Sequence, residues 1–288
     1  MPASEQIFDA VIVVDWSSAS TPTPARPSAN AIWVAEATAE GEATRYCRTR
    51  AEAEADISDR IKRLLTKGGR VLVGFDFPHG FPAGFAARLT GTDTAQSIWA
   101  WIAEHLADGP DNRNSRFQLA DGINARLGGG GPFWGRPAHL DLPHLPARKQ
   151  VDYPALGLSE RRQVERLIPR TQPVWKLYTT GSVGSQALTG MPLIHRLSQR
   201  HDTSVWPFDA PERPVVLAEV YPSLLDAEVR AHPGPIKDET QVRLLSRALL
   251  RASHRGVLEQ MLDVPTIARE EGWILGAGHT SILREVLA

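Results

Sequence analysis

The chain of 288 residues contains a single cysteine, Cys47, which excludes an internal disulfide and any zinc or iron–sulfur site built from several thiolates. Long hydrophobic runs are also lacking, since the longest apolar stretches have the length of strands. We therefore expect neither a signal peptide nor a membrane span. The scarcity of cysteine predicts a reducing, cytoplasmic setting. With 42% hydrophobic and 23% charged residues, the composition is that of a globular protein.

Net charge is nearly absent, because 32 basic residues stand against 33 acidic ones. A chain of net charge −1 is not expected to bind long nucleic acid by bulk electrostatics, so that partner is not favoured. The charge is nevertheless segregated: residues 1–110 carry −4, residues 111–176 carry +5 and residues 177–288 carry −2. The basic middle segment faces either a small anionic or nucleotide-like substrate or only solvent, and the pattern leaves both interpretations open.

The apolar pattern predicts one α/β domain over residues 1–288. Strands are expected at 11–14, 31–35, 45–48, 70–75 and 215–220. The uninterrupted apolar run at 70–75 indicates a strand buried on both faces, with helices covering a central sheet. Helices are expected near 57–65, 94–106, 238–252, 265–271 and 280–287. Between about 109 and 213 the pattern weakens and glycine and proline become frequent, which predicts a long loop-rich insertion with one helix at 159–167.

Three acidic residues occupy the same position in this pattern. Asp15, Asp76 and Glu219 lie at or near the C-terminal ends of apolar strands, followed by turn-forming residues. If these strands are neighbours, the carboxylates meet at one edge, where their repulsion favours divalent cations. Mg²⁺ (or Mn²⁺) suits such oxygen ligands, and two such ions about 4 Å apart serve phosphoryl chemistry. Each acid alone is also explained as a turn residue, a cap or the partner of an arginine. Asp238 is a fourth candidate ligand or a helix cap.

The residues around these acids resemble a known family. The motifs are VVDWSS at 13–18, GFDFPHGFP at 74–82 and AEVYPS at 218–223, with further matches at 114–117, 131–135, 175–178, 181–186 and 271–276. They resemble those of a bacterial predicted-nuclease family known as domain of unknown function 429, and the order of elements is similar to that of ribonuclease H-like proteins.

The resemblance covers most of the chain and implies a ribonuclease H-like fold with a mixed five-stranded sheet flanked by helices. It implies that Asp15, Asp76 and Glu219 form the acidic cluster. The last acid of such a site usually comes from a late helix, and here Asp238 and Glu271 compete for that role. Members of the family are sometimes labelled as accessory proteins of molybdopterin or cobalamin biosynthesis.

The basic segment contributes candidates for substrate contact. Arg116 and Lys176 could hold a phosphate, with Lys176 steadying the charge that develops during reaction. Trp134 and Tyr178 could stack on a base or another heterocycle, although aromatic residues more often anchor a core. Ser182 lies in a run of small residues, 181–185, that forms either an anion-binding nest or a tight turn.

These observations lead to one functional expectation and two alternatives. We expect a hydrolase or nuclease that uses Mg²⁺ (or Mn²⁺) to cleave a phosphodiester. The first alternative is an accessory protein of cofactor biosynthesis that binds a pterin or nucleotide without catalysis, and the second is an ATP-dependent phosphotransferase of the same fold superfamily. His79, three residues after Asp76, is a candidate proton shuttle. The sequence does not determine the oligomeric state.

Overall fold

The computed structural model describes residues 8–232 and 234–288, in which helices flank a mixed sheet of six strands. The strands β1 to β6 are Ala10–Asp15, Ile32–Thr38, Gly41–Cys47, Val71–Phe75, Thr203–Trp206 and Val215–Glu219. They lie in the order β3-β2-β1-β4-β6-β5. Strands β1, β4, β6 and β5 pair in parallel, whereas β2 lies antiparallel to both β1 and β3. The C-terminal ends of β1, β4 and β6 therefore meet at one end of the sheet.

Eleven α-helices are assigned within the described residues. The helices α1 to α11 are Arg50–Thr66, Phe85–Thr90, Ala95–His105, Arg116–Arg126, Gln163–Leu167, Gly184–Arg200, Asp226–Ala231, Lys237–His254, Glu259–Leu262, Ala268–Glu271 and Thr280–Leu287, with a 3₁₀ helix at Pro222–Leu225. The side chains of Thr49 and Thr94 cap α1 and α3 by accepting the backbone N–H groups of Glu52 and Ser97. None of the helices in the described parts of the chain is long and apolar enough to cross a membrane.

The strands of the sheet separate two hydrophobic cores. On one face, Val14, Val73 and Phe75 belong to the core that also contains residues of α1, α3 and α6. On the other face, Val13 and Leu72 belong to the core formed with α8 and α11. Side chains alternate between the faces of a strand, so burial on both faces explains the continuous apolar runs of β1, β4 and β6.

The sequence predicted a sheet of five strands, whereas the structure has six. The additional strand, β5, has only four residues and pairs in parallel with β6 at the edge of the sheet. It follows α6, which the sequence did not predict because this helix contains Pro192 and Gly190. The ring of Phe77 lies where a Cβ of residue 190 would stand, which explains the glycine. Part of the segment 109–213 thus belongs to the layers of the fold, and its longest irregular stretch lies between α4 and α5.

Candidate functional site

Asp15 and Asp76 form a carboxylate pair at the C-terminal end of the sheet. Asp15 is the last residue of β1, and Asp76 follows the last residue of β4. The two strands are parallel neighbours, paired in register at Val14 and Phe75, so the following residues lie side by side. The two carboxyl groups are within hydrogen-bonding reach of each other. The backbone N–H of Trp16 also donates to Asp76 Oδ1 at 2.7 Å, which fixes the orientation of that carboxylate.

The surroundings disfavour two negative charges on this pair. Burial, followed by the charge of Asp76, raises the pKa of Asp15 well above its usual range. Burial also raises the pKa of Asp76 to about 6, although hydrogen bonds from Asp15 and from the Trp16 N–H oppose the rise. Asp238 contributes further repulsion to both groups. Two carboxyl groups in such contact hold a shared proton or require a cation.

The pair opens into a cleft of about 640 Å³. Asp238 enters the cleft from the first turn of α8, and its Oδ2 accepts the backbone N–H of Asn30 at 2.7 Å. The competing candidate, Glu271, has a structural role instead. Its two carboxylate oxygens accept the backbone N–H groups of Ala83 and Gln163 at 3.0 Å and 2.6 Å. Of the two acids that competed for the fourth position, Asp238 is the one that lines the cleft with Asp15 and Asp76.

Glu219 does not join the pair as a free carboxylate. Its Oε1 and Oε2 each accept a hydrogen bond at 2.7 Å from Arg162, which also bonds Glu165 at 2.8 Å. Residues in register on parallel strands face the same side, so Glu219 shares the face of its partner Phe75, opposite to that of Asp15. The structure thus places Glu219, which the sequence predicted as a catalytic metal ligand, in a buried ion pair with Arg162 and not among the residues that line the cleft.

The two carboxylates are compatible with magnesium, but the protein does not supply all the ligands that a metal ion needs. Within residues 8–232 and 234–288, no group of three or more His, Cys, Asp or Glu side chains could by itself hold a metal ion. Mg²⁺ needs no such group, because it retains several waters and is typically held by one or two carboxylates together with substrate phosphate. Asp15 and Asp76 supply two carboxylates of this kind beside an open cleft.

Part of the cleft lining favours negative charge. Residues 179–183, which include Ser182, line the cleft just before the N-terminus of α6, a helix of 17 residues. The first turn of a helix presents N–H groups without partners inside the helix and a partial positive charge, which attract anions. In α6 the N–H of Gly184 is already bonded to the backbone oxygen of Lys176 at 2.9 Å. Lys237 also lines the cleft, with its ammonium 3.6 Å from Asp226 and its side chain 60% exposed. The cleft thus combines an acidic pair with groups that can receive a phosphate.

Two arginines hold the loop that follows β1. Arg116 is buried, and its guanidinium donates to Ser20 Oγ at 2.9 Å and to Ser185 Oγ at 2.9 Å. Arg50 donates to the backbone oxygens of Ser17 and Ala19 at 3.1 Å and 2.8 Å. The Nε and Nη1 of Arg116 thus bond within the protein, and Arg116 is not among the residues that line the cleft. Through Ser17, which lines the cleft, Arg50 positions one rim of the site, and Arg116 holds the same loop at Ser20.

The other candidates from the basic segment also bond or pack within the protein. Lys176 Nζ donates to the backbone oxygen of Thr180 at 2.8 Å. The lysine thus stabilises the loop at the cleft and does not extend into the cleft. Trp134 packs against the core as a half-buried side chain. Tyr178 is 46% exposed and packs edge-on against Phe117 at 6.3 Å. None of these three residues lines the cleft that contains Asp15 and Asp76.

His79 is enclosed by aromatic side chains. It is fully buried beside Phe75 and Phe77, and neither ring nitrogen has a hydrogen-bond partner among the described residues. Burial, with a smaller contribution from Arg162, lowers the pKa of His79 to about 3. The ring is therefore neutral at physiological pH and does not reach the cleft, so the proposed proton shuttle is corrected.

Sequence reasoning missed several residues that line the cleft. Gln186 lies in the first turn of α6 and donates to the backbone oxygen of Trp16 at 2.7 Å. Lys237 and Tyr221 line it as well; Lys237 precedes Asp238, and Tyr221 lies inside the motif 218–223. Proximity to Asp238 and to the strand-end motif 218–223 was the available signal for them. No protein-family model, curated protein or solved structure matches the chain.

Proposed function

We propose that the protein is a divalent-cation-dependent phosphodiester hydrolase, with Asp15 and Asp76 as the residues that hold Mg²⁺ or Mn²⁺. The observation that carries the proposal is the contact between two carboxyl groups whose pKa values are raised, at the mouth of an open cleft. A bound divalent ion relieves their repulsion. Such an ion supplies Lewis-acid activation of water and neutralises charge on a phosphate.

The protein's own residues supply the remaining requirements. Asp238 extends the negative field at the cation side of the cleft. The N-terminus of α6 and Lys237, which line the same cleft, attract the phosphate. The hydroxyl of Ser182 can donate to a phosphate oxygen. The resemblance to ribonuclease H-like predicted nucleases points to the same chemistry, and the size of the cleft favours a small or nucleotide-like substrate.

The proposal is tested by the release of nitrophenolate from bis(4-nitrophenyl) phosphate with Mg²⁺, with Mn²⁺ and with chelator. Asp76→Asn removes one ligand and is expected to lower kcat/KM by about 100-fold or more. Asp93→Asn, at an exposed position outside the cleft, is the matched control and retains the wild-type rate. Equal rates for Asp76→Asn and the control, or hydrolysis insensitive to chelator, would refute the proposal.

Measurements on the wild type and these two variants also distinguish hydrolysis from the two other functions that the sequence suggested. A phosphotransferase is stabilised against unfolding by Mg-ATP more than by the metal alone. A binding protein without catalysis retains a nucleotide or pterin but hydrolyses neither diester nor ATP. The carboxylate pair itself favours hydrolysis, because it supplies a cation site without requiring a second nucleotide.

A further inference from the structure

A smaller cavity, of about 140 Å³, opens beside the acidic cleft. The two spaces share Asp76, Gly181, Val183 and Tyr221 as lining residues. An apolar protein cavity of about 150 Å³ is known to admit benzene. A ligand with its phosphate at the carboxylate pair therefore has room for one aromatic ring in the adjoining cavity.

The walls of this cavity suit a flat ring. Val220 and Ile274 contribute buried apolar surface, and Tyr221 lies between the cavity and the larger cleft. Small-molecule sites are mostly apolar with a few polar groups that fix orientation. Here the most deeply buried polar groups are Arg162, Glu165 and Glu219, whose residues are 1%, 3% and 3% exposed. The polar residues Asp76, Arg170, Thr171 and Gln172 also line the cavity.

These polar groups retain unused capacity to accept hydrogen bonds. A carboxylate offers about four acceptor positions. Glu165 accepts only two side-chain hydrogen bonds, from the backbone N and from Nε of Arg162, so about half of its capacity is free. Glu219 accepts from Nη1 and Nη2 of Arg162 and from the backbone N–H of His79. Glu165, which lines the ring-sized space, thus has more free acceptor positions than Glu219.

The buried group of Arg162, Glu165 and Glu219 carries more negative than positive charge. Two carboxylates share a single guanidinium, that of Arg162. Burial raises the pKa of Glu165, as expected for a carboxylate that lacks full compensation. Buried acceptors without donors are costly, so a ligand that donates hydrogen bonds here is favoured over one that only fills space.

We infer that this cavity binds the six-membered ring of a guanine-type base, so that the substrate is a guanine nucleotide or a diester that contains one. This inference rests on the proposed function for the position of the phosphate. The ring amide N–H and the adjacent amino group of guanine form a two-donor edge that matches a carboxylate. The five-membered ring and the sugar then extend past Tyr221 into the cleft, which directs the phosphate toward Asp76.

Guanosine and inosine provide the matched test, because inosine lacks only the amino group. The substrates are their 5′-(4-nitrophenyl) phosphate diesters, and methyl 4-nitrophenyl phosphate reports hydrolysis without a base. We expect kcat/KM for the guanosine diester to exceed that for the inosine diester by at least about 10-fold, since one hydrogen bond to a charged acceptor is lost. A ratio near 1, with the methyl diester hydrolysed, overturns the inference and leaves the proposed function intact.

Two variants locate the preference in the cavity. Ile274→Phe fills it from the buried side, and Gln172→Phe fills it from a half-exposed wall, so at least one of them is expected to fold. In a variant with a cooperative melting transition, the ratio of kcat/KM for the guanosine diester to that for the inosine diester is expected to fall to about 1. The rate for the methyl diester is expected to be unchanged. Retention of the preference in a folded variant would overturn the inference.

Measurements of nucleotide binding test the base site even if the proposed hydrolysis is not observed. If no diester is hydrolysed, equilibrium dialysis with guanosine and inosine 5′-monophosphates replaces the rates. Binding of guanosine monophosphate at least about 10-fold tighter than inosine monophosphate supports the cavity as a base site even without hydrolysis. Equal binding, or none, overturns it.

Discussion

Arg162 donates a hydrogen bond at 2.7 Å to each carboxylate oxygen of Glu219. This bidentate pair, buried with Glu165, separates two kinds of acid at the end of the sheet. Asp15 and Asp76 repel each other at the cleft, whereas Glu219 is neutralised. The first two are therefore expected to serve function at some expense of stability, and Glu219 is expected to serve stability.

Breaking the buried ion group should destabilise the fold to an extent that depends on which member is removed. Arg162→Gln leaves Glu165 and Glu219 buried without a cation and is expected to lower the free energy of unfolding by about 3–5 kcal/mol. Glu219→Gln leaves the neutral Arg162–Glu165 pair and is expected to cost less, about 1–3 kcal/mol. Urea denaturation measures both values. Asp202→Asn, which removes an exposed ion pair, is the control and should change stability by less than about 1 kcal/mol.

Replacing an acid of the carboxylate pair should increase the free energy of unfolding, whereas breaking the buried ion group should decrease it. The pKa of Asp76 is raised to about 6, so the folded state binds more protons than the unfolded state between about pH 4 and 6. The stability of the wild type therefore falls as the pH rises through this window and then levels off. Asp76→Asn is expected to weaken that dependence and to be more stable than the wild type at pH 8 without metal. A variant less stable than the wild type at pH 8 would contradict the charge repulsion.

Divalent cations should stabilise the protein in a manner that depends on the pair. At pH 8, Mg²⁺ or Mn²⁺ at 100 times its dissociation constant is expected to add about 2.7 kcal/mol to the free energy of unfolding. The increase should shrink at pH 5, where protons compete for Asp15 and Asp76, and vanish in Asp15→Asn. Thermal melting with and without chelator measures the effect. The same metal response in Asp15→Asn as in the Asp93→Asn control would place the cation elsewhere.

The two lysines near the cleft should differ in their contribution to turnover. Lys237 lines the cleft, so Lys237→Ala is expected to raise KM for bis(4-nitrophenyl) phosphate about 3- to 10-fold with a smaller change in kcat. Lys176 donates to the backbone of Thr180, so Lys176→Ala is expected to stay within about twofold of the wild type. Steady-state kinetics at two salt concentrations provide the comparison. A larger loss for Lys176→Ala would restore the role that the sequence suggested for it.

Local patterns in the chain were sufficient to predict much of the sheet. The apolar runs of β1, β4 and β6 and the acid at the end of each are visible because hydrophobic burial and strand length are encoded in consecutive residues. Helix α6 was not predicted because Gly190 and Pro192 are typical of loops, and strand β5 was not predicted because it has only four residues. The glycine at 190 is explained by Phe77, which is distant in sequence and whose ring lies where a Cβ would stand.

The sequence by itself determined which residues could carry the chemistry, since Asp15, Asp76 and Asp238 were all candidates. Tertiary structure alone decided which acids meet. The register of β4 with β6 puts Glu219 opposite Phe75, one position away from Asp76 in the alternation of faces. Arg162, 57 residues earlier in the chain, then neutralises Glu219, and no local pattern reports such a pairing. Register and topology, which set the charge partners across the fold, thus separate the acids that line the cleft from the one that is paired with arginine.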